Sequence, residues 1–425
     1  MADAQPQRTD SLCRMRPHQE IVSTELLRGS GFWLFAGHLV ALFGLALSNL
    51  LLGLTLLVSP WTGRWRRLAA RDLRPLLIVI GAYVALLLAA VAASYQPLES
   101  VRETSEIFGL TTVLLALIMI RGAAEARLVT SGVILLGVLE SLVGLAQLAR
   151  VGAADLAQRI QGTFSHYMTL AGVLLIADLL LCARLVAWGR RAGWWWLALL
   201  PINLSLFGSL TRSAWVGLAA GLLALLLLSR PRLLLFSVPA VIALFLVLPR
   251  GPVVDRVAST VDPMDTTNYD RLCMAYSGLL MVKDHPLLGQ GPRMVRERYE
   301  LYRVPTAPRE WVPHLHNSFL QLAAERGVPA LIAYLALMGL PWQRAMRSLA
   351  AEGGHHGPRA DLLLGVLTVL IGFNVAGLFE NNWGDTEVQR LVLFTVALPF
   401  VVGRWAGAAS QEPLPDGGAP RVRAG

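Results

Sequence analysis

The chain is 425 residues long, 55% hydrophobic and only 15% charged. No soluble domain of this length keeps a polar surface on so few charges, so the composition excludes one and asks for a hydrocarbon solvent. The formal net charge of +9 would suit nucleic acid, but the basic residues fall in alternate short loops, as topology determinants do, and that reading is set aside.

Apolar runs of roughly 16 to 24 residues, the length that crosses a bilayer core, recur along the chain. A membrane barrel would show segments of about ten alternating residues instead. The expected fold class is therefore an all-α polytopic membrane protein. Residues 1–29 are polar and proline-containing, without a short apolar run ending in a cleavage-like site, and read as a cytoplasmic N-terminal segment rather than a signal peptide. The run from Gly31 to Val58 is too long for one upright helix, and Ser48-Asn49 near its middle suggests the turn of a helical hairpin. Further spans are expected at about 75–94, 104–120, 128–148, 168–188, 194–208, 214–228, 233–248, 318–340, 362–379 and 389–403. With the hairpin split, this makes about twelve transmembrane helices in a bundle over 30–406. The Pro/Gly-rich end, 407–425, reads as a disordered cytoplasmic tail.

Arginine usage orients the bundle. Arg64, Arg66, Arg67, Arg71 and Arg74 share one loop; Arg121 and Arg127, then Arg184, Arg190 and Arg191, then Arg230 and Arg232, then Arg344, Arg347 and Arg359 follow in every second loop. The intervening short loops carry only Arg102, Arg150, Arg159 and Arg212, and "ENNWGD" has acids but no base. The positive-inside rule makes the first set cytoplasmic, together with both termini. The alternation holds throughout only if the first run is two helices. One loop is much larger than the rest, about 249–317, between the ninth and tenth helices on the outer face. It contains the helix-like "DRLCMAYSGLLMVKD", the turn "HPLLGQGPR" and the stretch "HLHNSFLQLAAERG" that leads into the next span. Cys13, Cys182 and Cys273 fall in a tail, a helix and the outer loop, so neither a disulfide framework nor a metal site follows.

Chemistry is expected where charge collects at the outer surface. Ser318 and Gln321 make an S-x-x-Q capping pattern that starts a helix at Ser318 with Asn317 just outside. His316 then lies beyond the positive end of the helix dipole, which disfavours imidazolium and suits a general base; a plain interfacial histidine is the alternative, and more so for His314. Arg212 lies in "SLTRSAWVG", in a very short outer loop, where it is either a snorkelling anchor or a phosphate contact. Arg271 begins the amphipathic helix of the large loop, and Arg293 follows its glycine turn; a solvated arginine is the plain reading of each. Converging guanidinium forks suit a diphosphate. "DHPLLGQGP" lacks the G-K-[ST] ending of a P-loop and reads as a structural turn, His285 included. Glu140 and Asp178 lie inside spans and are either functional or paired within the bundle.

The order "TRSAW", then "DR…DHPLLGQGP", then "HNSFLQLAAERG" entering a span resembles the O-antigen ligase family, within the wider O-antigen ligase/polymerase superfamily. The family pattern is His, then Asn, Ser or Arg, nine residues, Gly, two residues, and Gly, Thr or Tyr. His316, Asn317 and Gly327 fit, and Ala330 occupies the last place. The resemblance implies a glycosyltransferase acting on the periplasmic face of the bacterial inner membrane. It would pass O-antigen polysaccharide from undecaprenyl diphosphate to a hydroxyl of the lipid A–core oligosaccharide. The large outer loop has no Asp-x-Asp pair to clamp a metal, so a metal-independent step without a cofactor is expected, and direct displacement of the diphosphate would invert the sugar centre. The resemblance assigns His316 as the base and Arg212 and Arg271 as the diphosphate clamp, and its acid near the last outer loop is Asp385 or its rival Glu380. Arg293 joins the clamp as a weaker candidate, from its place after the glycine turn alone. The nearest alternatives are an O-antigen polymerase and a protein O-oligosaccharyltransferase. A lipid-linked sugar transporter, the alternative of another class, would show internal repeats and broken helices around a midplane site.

Overall fold

The computed structural model describes residues 29–151, 159–230 and 265–409. Among these residues there are helices and turns but no strand, and eight helices are long and apolar enough to cross a membrane. The expected span at 233–248 and the start of the large loop lie outside the described residues, as do the N-terminal segment, most of the C-terminal tail and Cys13.

The first apolar run is two helices, α1 (Gly29–Phe43) and α2 (Leu45–Val58). The break falls at Gly44, whose extended backbone (φ −134°, ψ 95°) ends the helix, and not at Ser48-Asn49. Those two polar residues lie inside α2 and serve a distant partner. The guanidinium of Arg390, buried in the bundle, donates to the Ser48 hydroxyl at 2.9 Å and to the Asn49 side-chain oxygen. The Ser48 hydroxyl in turn donates to the His38 carbonyl at 2.8 Å, which shows α2 folded back on α1.

Then follow α3 (Arg74–Ala92), α4 (Ser105–Met119), α5 (Ala123–Val151) and α6 (Tyr167–Trp188). A 3₁₀ segment, Gly189–Ala198, turns the chain into α7 (Leu199–Gly208), and α8 (Arg212–Ser229) follows. The part of the large loop that is described is helical: α9 (Thr266–Asp284) and α10 (Met294–Tyr302) close a small core of Met274, Met281, Val295, Tyr299, Val312 and Leu315 over Ala324. The long α11 (Ser318–Ala351), α12 (Ala360–Gly377) and α13 (Thr386–Ala409) complete the fold.

Helix α12 is the axis, packed against α6, α8, α11 and α13 and buried nearly all round. Lipid gives helices no hydrophobic reason to associate, so close backbone approach between small residues carries the contact. Gly217 of α8 and Gly372 of α12 face each other so closely that a Cβ on Gly217 would lie 2.5 Å from the Gly372 carbonyl oxygen. At one end of the bundle the arginines expected to be cytoplasmic find partners: Arg127 with Asp361 (2.8 Å), Arg184 with Ser131 (2.8 Å), Arg344 with Asp72 (2.9 Å) and Arg359 with Glu352 (2.6 Å). The starts of α8 and α11 lie at the opposite end, where α9 and α10 cap the bundle.

Helix α11 is broken at Gly327 (φ 84°, ψ 165°), directly before Val328 and Pro329. The turn after α9 threads this break. Gln290 N–H donates to the Ala324 carbonyl at 2.8 Å, Gly291 N–H to the Glu325 carbonyl at 3.0 Å, and Val328 N–H to the Pro286 carbonyl at 2.8 Å. A Cβ at Gly327 would strike the Leu287 carbonyl, and the positive φ disfavours any side chain. "GQGP" and the glycine of the histidine motif are therefore two halves of one joint, which docks the loop helices on the first turns of α11.

Candidate active site

The site is built where α11 begins. Asn317 is the N-cap: its side-chain oxygen accepts from Leu320 N–H at 2.9 Å, and its amide donates to the Leu378 carbonyl at 3.0 Å, tying the start of α11 to the end of α12. The helix begins at Ser318 as expected, but Asn317 does the capping. Ser318 instead donates its hydroxyl to the Glu380 carbonyl at 3.0 Å, and the Gln321 side chain accepts Leu315 N–H at 2.9 Å.

His316 precedes this cap in a left-handed conformation, φ 50°, sparsely populated by residues other than glycine. Its neighbour His314 holds it there, the His314 Nδ1 accepting His316 N–H at 3.3 Å. The result aims the His316 ring at Glu380, with Nδ1 3.0 Å from each carboxylate oxygen. Glu380 is almost completely buried. Burial alone would raise its pKa, but the His316 hydrogen bond and the charges of His316, His314 and Arg271 outweigh it and hold the carboxyl below its usual range. An ionised carboxylate only accepts, so Nδ1 carries the ring proton and Nε2 is left as the acceptor. Against the dipole of α11 the fold thus sets an anion in direct contact with the ring.

The arginines close around this pair. Arg271, in the second turn of α9, lies 3.7 Å from Glu380. Arg212, the first residue of α8, is buried and pairs at 3.5 Å with Asp265, which caps α9 by accepting Thr267 and Asn268 N–H. Arg159 and Arg271 are both close enough for their charges to bear on Arg212. A cavity of about 360 Å³ lies among Arg159, Arg271, Arg309, His166, His314 and His316, with Tyr167 and Asp270 also in its wall. Arg159 sits over the Tyr167 ring at 4.5 Å, and Arg309 pairs with the buried Asp270 at 2.9 Å. Burial pushes the imidazole of His166 down from its ordinary value and that of His314 down to about 4.

Of the residues singled out in the sequence, the fold gathers His316, Asn317, Arg271 and Glu380; Arg212 stands behind Arg271, paired with Asp265 and outside the wall of that cavity. Asp385 is elsewhere: it accepts the Thr169 hydroxyl and caps α13, and burial, with Glu387 beside it, pushes its carboxyl up. Glu380, not Asp385, is the acid on the histidine. Arg293 starts α10, pairs with Glu103 at 3.8 Å and lines a different cavity from His316. Glu140 accepts the backbone and hydroxyl of Thr163, at 2.9 and 2.7 Å, and Asp178 accepts from Asn203 at 3.2 Å, so each is paired within the bundle.

Sequence reasoning missed the knot that holds the Glu380 loop. Trp383 donates its indole N–H to Glu106 at 2.7 Å and to the Tyr83 hydroxyl at 2.9 Å, while Arg326 pairs with the same Glu106. The signal was present as Glu106 and Arg326, two charges inside apolar stretches. Arg159 and His166 were visible only as polar residues in a short loop.

His314, His316 and Glu380 offer ligand atoms within 4.8 Å of one another, a spacing that could also hold a metal ion. Both Glu380 oxygens already face the His316 Nδ1, and Arg271 lies against the same carboxylate, so the donor set is better matched to a hydrogen-bonded acid–base pair. A comparison with curated proteins finds no match. Residues 196–335, from the end of the 3₁₀ segment into α11 and including Arg212, Arg271, Arg293 and His316, match the model of a family described as O-antigen ligase, so this third of the chain is similar to that family.

Proposed function

We propose that the protein is an O-antigen ligase of the bacterial inner membrane, with the site described above on its periplasmic face. The observation that carries this reading is the Glu380–His316 pair opening onto an arginine-lined cavity at the start of a membrane helix. The donor, O-antigen polysaccharide on undecaprenyl diphosphate, brings its own leaving group. The protein must therefore hold a diphosphate and remove one proton. Arg212 and Arg271, with Arg159 beside them, stabilise the charge that grows on the diphosphate. His316 Nε2 takes the proton of a lipid A–core hydroxyl as that oxygen attacks the anomeric carbon. The bond to the diphosphate breaks with its electron pair on the leaving group, and the centre inverts in one displacement. Glu380 stabilises the imidazolium that forms. Neither a metal nor a cofactor enters the step.

The break in α11 bears on the transporter alternative, because broken helices there surround a substrate. Here the break is filled by backbone hydrogen bonds from the loop, and Glu140 and Asp178 are paired structurally. The test uses purified protein, the lipid-linked donor and lipid A–core, without nucleotide and with chelator. Transfer should proceed, and His316→Ala should lower its rate by about 100- to 10,000-fold, the usual cost of one positioned base, while donor binding persists. Wild-type protein that transfers only to a second lipid-linked glycan would make it a polymerase, and transfer abolished by chelator would refute the metal-free step.

A further inference from the structure

The reaction has two substrates, and the cavity around His316 and the arginines accounts for one. A second cavity, of about 240 Å³, lies on the other side of His314 and Pro313, which line both. The His314 ring is only 4.3 Å, centroid to centroid, from the His316 ring. The wall between the cavities is thus one imidazole thick, and it stands beside the base.

The lining of the second cavity is chemically distinct. Arg293 and Arg296 are partly exposed at its mouth, Glu103 faces Arg293, and Glu325 and Arg326 are buried deeper, with the amides of Gln321 and Asn381 between. Interleaved fork donors, carboxylate acceptors and amides fit the alternating hydroxyls of a saccharide, whereas an acyl chain would leave these charges desolvated and unpaired. Of the three lining arginines, Arg326 is held by Glu106, whereas Arg293 and Arg296 stay partly exposed in loose pairs with Glu103 (3.8 Å) and Glu297 (3.6 Å) that a bound anion can replace. Such a cavity favours a sugar that carries phosphate or carboxylate.

We infer that this cavity is the acceptor subsite: it takes an anionic saccharide, Arg293 and Arg296 contact the anion, and His314 partitions it from the donor diphosphate. The inference rests on the proposed transfer reaction. Inversion needs the acceptor oxygen on the face of the anomeric carbon opposite the diphosphate, and a second chamber across the base's neighbour supplies that approach. The assignment also gives Arg293 a role away from the diphosphate.

The test measures binding rather than turnover, on the full chain in lipid nanodiscs. The probes are lipid A–core glycolipid, the same glycolipid after dephosphorylation, and undecaprenyl diphosphate. Wild type should prefer the phosphorylated glycolipid. Arg296→Glu should weaken its binding about tenfold or more, the scale of one lost charge-assisted contact, and erase the preference. Arg296→Lys should keep the preference in part, and Arg293→Ala should behave as a weaker Arg296→Glu. Undecaprenyl diphosphate should bind Arg296→Glu as it binds wild type, which also reports that the variant is folded, and should bind Arg271→Ala poorly. Equal glycolipid binding by wild type and Arg296→Glu, or a loss confined to undecaprenyl diphosphate, would overturn the assignment. Glycolipid binding that follows this pattern in a protein without transfer activity would sink the ligase reading and leave the subsite standing.

Discussion

Replacing Glu380 with glutamine removes one charge and almost no volume, which makes it the sharpest probe of the site. In the wild type both carboxylate oxygens lie 3.0 Å from His316 Nδ1. A full carboxylate–imidazolium attraction at that distance, with an effective permittivity of about 20, is about 5 kcal/mol. Not all of it is at stake. Arg271 shares the carboxylate at 3.7 Å, and a glutamine oxygen can still accept one hydrogen bond from the ring. Roughly 40 to 80% of it should be lost from the transition state, about 2 to 4 kcal/mol, or about 30- to 1,000-fold in rate. The amide also carries an N–H that can face Nδ1, which stabilises the tautomer with its proton on Nε2 and blocks the base. The assay is single-turnover transfer with saturating donor and acceptor, alongside donor binding. Glu380→Gln should bind donor normally and transfer slowly, and Asp385→Asn should transfer at a rate much closer to wild type. Glu380→Gln protein within about threefold of wild type, a loss too small for one positioned acid–base partner, would refute the pairing of Glu380 with the base.

The diphosphate clamp should follow the same arithmetic in binding: Arg271→Ala lowers affinity for undecaprenyl diphosphate by about tenfold or more, and Arg271→Lys by less, because an ammonium lacks the bidentate fork. Arg159→Ala, checked by the same titration, should cost less than Arg271→Ala, since Arg159 contributes charge at the cavity edge without a contact to Glu380. Gly327→Ala should lower the melting temperature of the detergent-solubilised protein, the left-handed backbone and the Leu287 carbonyl together costing on the order of 2 kcal/mol or more. His314 has a folded pKa of about 4, below the ordinary 6.5, so the folded state binds the proton less well than the unfolded one. Its contribution to stability is complete above about pH 6.5 and is lost as the pH falls towards 4. Melting curves of His314→Gln should therefore fall less steeply than wild type across that window.

How much of this was legible depended on whether a residue's role is local. Most spans were readable because hydrocarbon imposes length and composition on each helix separately, although the helices found at the expected 104–120 and 194–208 are only 15 and 10 residues long. The start of α11 was readable for the same reason, since capping involves residues within a few positions of one another. The break in the first run was misplaced because Ser48-Asn49 has the composition of a turn. In the fold those side chains serve a guanidinium more than 300 positions away, at Arg390, and no local rule reports that. The choice between Asp385 and Glu380 failed to resolve on similar grounds. Both are acids in one outer loop, and only the packing of Trp383 against Glu106 and Tyr83 decides which one meets the histidine.

The eleven-residue interval from His316 to Gly327 has a physical reading that joins these levels. About three helical turns separate the two positions, so the interval is the part of α11 that stands between the site and the joint with the loop. Gly327 must be a glycine because the Leu287 carbonyl occupies the space of its side chain, and that contact fixes where α9 and α10 sit. The first turns of α11 then carry the cap at Asn317, and the cap sets the height of His316. Arg271, on α9, is placed by the other side of the same joint. A change in the interval would move the histidine and the arginine relative to each other, whereas a change in the length of α11 beyond Gly327 would move them together. Inserting one alanine between Ser318 and Arg326 should therefore abolish transfer, and the same insertion between Tyr334 and Leu340 should be tolerated far better. Transfer assays on the two insertions, with membrane insertion verified for each, decide it; equal loss in both would mean that the joint does not set the geometry of the site.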